Sequence, residues 1–536
     1  MKILHNARIH TLDPQRPHAS ALVIAGERIL ASGGDELLRE FDGAQEQDMH
    51  GRVILPGLTD AHLHLHYYAL GLQKIDCETD TLEECLQRVS ERVKKSKPGE
   101  WILGHGWNQN VWFPSPSGRG GRGEGGWPAA SDLDSISPNN PVYLTAKSLH
   151  AALANSAALK TANITAESPD PANGRIQRQL NGDPSGVLLE TAMELISRVN
   201  PESDVELIAS AIEKSQPILW KMGLTGVHDF DRRECFMALQ KLHAQDKLKL
   251  RVTKNIPVDL LDHASALGLR TGFGDDWLRI GSVKAFMDGA LGPRTAAMFQ
   301  PYEGEPENKG ILNMDGEELF EFGRRAADVG LGMTVHAIGD RANHEVLDAY
   351  QQLRAYEKEK GLPHLRHRIE HVQVLHPDDA QRLAQLDVIA SMQPIHATSD
   401  MLMADKYWGE RAALSYAWRT QLDAGAHVAF GSDAPVESPN PFWGLHAAVT
   451  RRRRNGSPSK EGWRPEQRLS VQEALAGFTS GAAYAAYAEN RLGRLAPGFL
   501  ADLIVLDDDP FTCNPDDMKD FQSSATMISG DWVFGE

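Results

Sequence analysis

The chain has 536 residues, 41% of them apolar, and a formal net charge of −18. That length buries a large core and holds more than one domain, while the charge disfavours nucleic acid or an anionic membrane as partner and says little about a small-molecule substrate. No apolar run reaches the length of a membrane span, residues 1–10 lack a secretory apolar region, and the scattered cysteines (Cys77, Cys85, Cys235, Cys513) form no C-x-x-C pair. The expectation is a reducing, cytoplasmic setting without disulfides, with a homodimer left open.

In chain order, residues 1–52 read as short strands between turns, at 2–9, 21–24 and 28–32. The same texture returns at 501–506, 525–529 and 531–534. Residues 1–52 and 495–536 are therefore expected to build one small β-sandwich. Between them, apolar strands recur at 53–64, 223–230, 248–257, 278–287, 332–336, 367–372, 388–393 and 428–433. Helical patterns at 317–329, 344–359, 377–385 and 414–424 separate several of them. This alternation predicts an α/β fold, a (β/α)8 TIM barrel over 53–494 with its chemistry at the C-terminal strand ends. The gap between the first two strands far exceeds one crossover, so 67–220 are expected to form an inserted subdomain acting as a lid. It carries a helix at 82–95, the tryptophans Trp101, Trp107 and Trp112, a strand at 142–146, and His150. Its glycine- and arginine-rich stretch 115–126 lacks the ending of a phosphate loop and reads as a surface loop.

The chemistry starts at Leu55-Pro56-Gly57-Leu58-Thr59-Asp60-Ala61-His62-Leu63-His64-Leu65-His66. Strand alternation puts Asp60, His62, His64 and His66 on one face, where two imidazoles two residues apart can reach one cation. Buried for any other reason, each ring would need partners for its nitrogens. Lys284 lies in an apolar strand, where burial should lower its pKa. A neutral amine there can take up carbon dioxide to give a carbamate that bridges two cations; the alternative is a pair with a neighbour such as Asp288. His336 and His371 end two further strands, while His367, deeper in its strand, is read as structural. Asp433, after Gly431-Ser432, can bind a metal with one oxygen and take a proton with the other; the alternative is a cap or turn aspartate.

As a set, P-G-x-x-D-x-H-x-H, a strand lysine, two strand histidines and G-S-D resemble the metal-dependent amidohydrolase superfamily. The stretches Lys284-Ala285-Phe286-Met287-Asp288-Gly289, Val335-His336-Ala337-Ile338-Gly339-Asp340-Arg341 and Ile369-Glu370-His371-Val372 are similar to its YtcJ-like, amidohydrolase-3 branch, which includes N-substituted formamide deformylases. The resemblance implies the barrel and sandwich, and one or two divalent metals, usually zinc. By position, the more buried metal would take His62, His64 and Asp433. The second would take His336 and His371, with a carbamylated Lys284 between them. Asp60 would orient a ligand histidine from behind. Where the branch commonly has a glycine before the histidine of the inserted segment, this chain has Leu149 before His150.

The expected reaction is hydrolysis of an amide-type C–N bond, in an N-substituted formamide or N-acyl compound, by metal-bound hydroxide, with Asp433 as general base and then acid. Substrate contacts are expected from Trp107, His150, Asp288, Arg294, Gln393 and Trp443. The alternatives are a metal-dependent lyase or isomerase on the same site, or a non-catalytic regulatory binding protein. The complete ligand set with a base argues against the last.

Overall fold

The computed structural model describes residues 1–112, 127–146, 151–171, 174–199 and 204–536. The stretch 115–126 and His150 lie outside the described residues. The chain divides into two compact units, Met1–Tyr68 with Ile212–Glu536, and Ala69–Ala211.

The first unit holds eight parallel strands: β1 (Leu58–Leu63), β2 (Leu224–Asp229), β3 (Arg251–Pro257), β4 (Leu278–Phe286), β5 (Met333–Ala337), β6 (Arg368–His371), β7 (Ile389–Met392) and β8 (Val428–Phe430). They lie side by side in sequence order. A parallel bridge between Leu63 and Ala434 brings the two ends of the sheet together. At this seam His64 N–H donates to the Ala434 carbonyl at 2.8 Å, and Asp433 N–H donates to that of His62 at 2.7 Å. The fold is the predicted (β/α)8 barrel, and its closing bonds are made by candidate site residues.

Helices Gly316–Asp328 and Asp340–Lys360 follow β4 and β5. The first is capped by the Asp315 carboxylate, which accepts from Glu318 N–H at 2.8 Å, and the second stops at left-handed Gly361. A helix at Pro394–Trp408 was not anticipated. Its apolar residues follow no clean helical stripe, and its only local start signal is a proline in the first turn.

The run 53–64, expected as one strand, is two. Val53–Pro56 pairs with Leu503–Leu506 and Arg8–His10 in a six-stranded sheet that mixes both ends of the chain, and only Leu58–Leu63 enters the barrel. The chain changes sheet at Gly57, where a Cβ would come within 2.4 Å of the Thr225 side chain. A four-stranded sheet of Arg28–Gly33, Ala21–Ala25, Lys2–His5 and Gln45–Asp48 completes this end of the unit. Leu4, Leu22, Ile24, Ile54, Leu503 and Met527 share its core. A buried ion pair, Arg251 Nη2 to Asp502 Oδ1 at 2.7 Å, ties β3 to the C-terminal strands.

The second unit is built on a six-stranded sheet, in the order Gly174–Arg178, Pro184–Glu190, Ala151–Ala154, Val142–Ala146, Ile102–Trp107 and Ile75–Asp76. Helix Leu82–Val93 begins at Thr81, whose hydroxyl accepts from Glu84 N–H at 3.2 Å. Ile102, Trp107, Val142, Leu144, Leu153 and Val187 form its core. Among the described residues no helix is long and apolar enough to cross a membrane.

Candidate metal centre

The C-terminal ends of β1, β4, β5, β6 and β8 bring His62, His64, Lys284, His336, His371 and Asp433 together. His62 and His64 each place Nε2 3.5 Å from the same Asp433 oxygen, Oδ1. The ring centroids of His62 and His371 lie 4.9 Å apart, and those of His336 and His371 lie 4.5 Å apart.

Each of these rings is held by one nitrogen. His62 Nδ1 meets Glu370 Oε2 at 2.6 Å, and His64 Nδ1 meets Asp231 Oδ1 at 3.0 Å. His371 Nδ1 meets Gln393 Oε1 at 2.9 Å, and His336 Nε2 meets the Gly289 carbonyl at 2.9 Å. Such partners fix the tautomer, with the proton on the held nitrogen and a lone pair on the other, as a ligand histidine needs.

The backbone departs from strand geometry where it must. Consecutive strand residues face opposite ways, yet Glu370 and His371 both reach the site. They do so because His371 adopts a left-handed φ of 78°. Asp433 is left-handed too, at 60°. Gly431 lets the end of β8 lie against β1, since a Cβ there would come within 2.5 Å of His62 N.

Lys284 is buried, and its Nζ has no hydrogen-bond partner among the described residues. It sits 4.9 Å from the Phe230 ring and 4.7 Å from the Phe286 ring. Burial pulls its pKa down to about 8, against the pull of Glu370 and Asp433. Burial, with the Lys284 charge, lowers His336 to about 3 and holds His62 and His371 well below the ordinary imidazole value. These rings are neutral, the ligand form. Burial also lowers the His64 pKa, but Asp231 and then Asp433 outweigh it and the net shift is upward. Burial raises Asp433.

Below the histidines the barrel interior is charged. Glu370 receives Thr334 Oγ1 at 2.5 Å and lies 2.9 Å from Arg368 Nη2. Arg368 also bonds Ser391 Oγ, the Ala61 carbonyl and His228 Nδ1, each at 2.9 Å. Burial raises the Glu370 pKa, but Arg368 and Lys284 prevail and keep it below its ordinary value.

Several expectations need correction. Asp60 does not reach a histidine ring. Its Oδ1 accepts from the backbone N–H of His62 and of Ser432, each at 3.0 Å, so it fastens β1 to the end of β8. The Asp288 carboxylate is spent on three backbone N–H groups, those of Ile338, Gly339 and Ala297, at 2.8–3.0 Å. It braces the loops after β4 and β5, although His336 Nε2 lies 3.6 Å from it. Arg294 pairs with Glu305 at 2.5 Å. Trp443 donates to the Lys519 carbonyl at 3.0 Å and stacks under Arg454. Trp107 belongs to the core of the second unit, donating to the Leu144 carbonyl at 2.7 Å. Gln393 stays at the site through His371, with its own Nε2 unpartnered among the described residues. His367, by contrast, is structural as expected, bonding Glu357 at 2.9 Å.

Sequence reasoning missed Glu370, Asp231, Phe230 and His396. Phe230 stacks on His62 at 4.0 Å. Glu370 adjoins His371 in sequence, but strand alternation points it the wrong way. Asp231 follows β2, which bears no strand-end histidine pair to mark it. His396 lies on the unanticipated helix, with Nε2 3.9 Å from Asp433 Oδ2.

A model of the amidohydrolase family matches residues 45–534. The Arabidopsis thaliana protein LONG AFTER FAR-RED 3 is 35% identical over 94% of this chain and 86% of its own length. The N-substituted formamide deformylase of Arthrobacter pascens is 28% identical over 98% of this chain and 96% of its own. A solved structure, an uncharacterized metal-dependent hydrolase from Pyrococcus furiosus, is 31% identical and superposes with a TM-score of 0.78 over 95% of this chain and 100% of that one. The chain belongs to the amidohydrolase family and is a metal-dependent hydrolase.

Proposed function

We propose that this hydrolase cleaves the C–N bond of a small amide-type substrate, an N-acyl compound or N-substituted formamide, with zinc held by His62, His64 and Asp433. The observation that carries this reading is the convergence of two imidazole nitrogens, of buried His62 and half-buried His64, on one carboxylate oxygen, 3.5 Å from each. Donors at about 2.0–2.1 Å from a tetrahedral zinc stand roughly 3.3 Å apart, so the spacing fits that ion. Lys284, His336 and His371 are assigned to a second ion, with Lys284 as its carbamate. The buried amine of Lys284, lowered to about 8 and without a hydrogen-bond partner among the described residues, suits that modification.

A divalent cation bound there acidifies a coordinated water and polarises a carbonyl oxygen. The chain supplies the rest. Asp433 directs Oδ1 at the two histidines, so Oδ2 takes the proton of the attacking water and returns it to the leaving nitrogen. Burial raises the proton affinity of Asp433, which favours it as the base. Glu370 and Asp231 hold the two rings in register, and Arg368 keeps Glu370 ionised. The Gln393 amide Nε2, without a partner among the described residues, is available to a substrate oxygen. The formamide deformylase relative supports the bond class.

The test is a panel of N-formyl and N-acyl amines beside hydroxy and keto acids, presented to protein loaded with zinc or manganese. Amine release that disappears on chelation and returns with metal is the expected result. Turnover of the hydroxy or keto acids without amine release would replace this reading with a lyase or isomerase. Protein that binds no metal and turns over nothing would leave only a binding role.

A further inference from the structure

His396 stands in the first turn of helix Pro394–Trp408, on the far side of Asp433 from the His62–His64 pair. We propose that His396 is a metal ligand, forming with His371 a cation position beside the Asp433 carboxylate, whose Oδ2 remains the base. The proposal rests on the reading that His62, His64 and Asp433 hold an ion, and it names a further ligand of the second.

Two triplets of ligand atoms each lie within 4.8 Å of one another: those of His62, His64 and Asp433, and those of His371, His396 and Asp433. The carboxylate faces both. Oδ1 lies 3.5 Å from both nitrogens of the first pair, whereas Oδ2 lies 3.9 Å from His396 Nε2.

His396 is 6% exposed, and its Nε2 is buried without a hydrogen-bond partner among the described residues. Buried polar atoms in native proteins are almost always satisfied, and an ion satisfies this one. The rings of His371 and His396 lie nearly parallel, 5° apart in plane, with centroids 6.1 Å apart. That is too far for packing contact but leaves room for an ion between the two free nitrogens.

The second ring nitrogen of His396 also has a partner. His396 Nδ1 is 3.4 Å from the Gln373 amide nitrogen, while Gln373 Oε1 has no partner among the described residues. With that amide turned over, Nδ1–H donates to Oε1 and the lone pair falls on Nε2. His396 then follows the same rule as His62, His64, His336 and His371, with one nitrogen held and the other offered. With His336 and the Lys284 carbamate assigned to the same ion, His371 and His396 bring it to the four donors zinc prefers.

The test counts zinc. Protein stripped with a chelator is titrated with zinc against a chromophoric competitor, and bound metal is measured by mass spectrometry. Wild type should take two ions. His396→Ala should weaken the second by about 100-fold or more, beyond the loss typical of an outer partner, and leave the first unchanged. His396→Gln, which keeps bulk and polarity, should do the same, and circular dichroism of both checks the fold. Two ions of unchanged affinity in both variants, or a wild type that takes one ion only, would overturn the proposal. A His62→Ala, His64→Ala double variant should lose the first ion and keep the second. If it keeps both, the reading of the first site fails while His396 is still judged by its own variants.

Discussion

His62 and Trp107 are both strand residues with almost no exposure, 1% and 0%, and their surroundings follow different rules. Around Trp107 the second unit buries Ile102, Val142, Leu144 and Val187, and the indole nitrogen is satisfied by one carbonyl. Around His62 the barrel buries Glu370, Arg368, Lys284, Asp60 and His371. Charges are costly to bury even in pairs, and hydrophobic replacements often fold as well or better. A core built that way is explained by what it does rather than by stability. The two regions therefore make opposite predictions for mutation.

The largest effect should come from Asp433→Asn. Turnover should fall by about 10²–10⁴-fold, the scale of a lost general base, with thermal unfolding little changed. Near wild-type rates on an amide that the native protein cleaves would break the contrast at its centre. Next is Glu370→Gln, which leaves Arg368 without its carboxylate and loosens His62. It should cost about 3–5 kcal/mol in denaturant unfolding and about 10–100-fold in zinc affinity together. In the apolar region, Leu144→Ala should cost about 2–5 kcal/mol, the range for a truncated core leucine. It should leave the zinc content of the barrel histidines unchanged, because none of them lies in residues 69–211. Loss of bound zinc there would blur the distinction.

The smallest expected effect has the opposite sign. Burial lowers Lys284 from 10.5 to about 8, a cost of roughly 3 kcal/mol below that pH. The unfolded chain holds this proton more tightly than the folded one, so stability from this group rises with pH between about 8 and 10.5. Lys284→Met should therefore stabilise the metal-free protein at pH 7 by up to roughly 3 kcal/mol, with the gain shrinking above pH 8. It should also weaken the second zinc. Equal melting of variant and wild type at pH 7 would show that the lysine charge is compensated.

Much of this was legible in the sequence because it is local. The period of two at His62 and His64, the apolar strands that deliver Lys284 and Asp433, and the strand–helix alternation each depend on neighbours in the chain. The division of 53–64 at Gly57 was not legible, because its cause is Thr225, a residue of another strand. The candidate substrate residues fared worst. Asp288, Arg294 and Trp443 are types that bind ligands, but side-chain type does not say which backbone group or ion partner lies in reach.

The sequence by itself determined the barrel and most of the histidines at its mouth, since periodicity states which residues share a face. Only the tertiary structure decided how those rings are held. Glu370 reaches His62 across 308 positions and Asp231 reaches His64 across 167, and a left-handed φ at His371 reverses the face that alternation assigns. His396, on a helix without a clear apolar stripe, became a candidate ligand only when the closed barrel set it opposite Asp433. A strand's pattern records the face it buries, but the partners it meets there are set by barrel closure, which no local window contains.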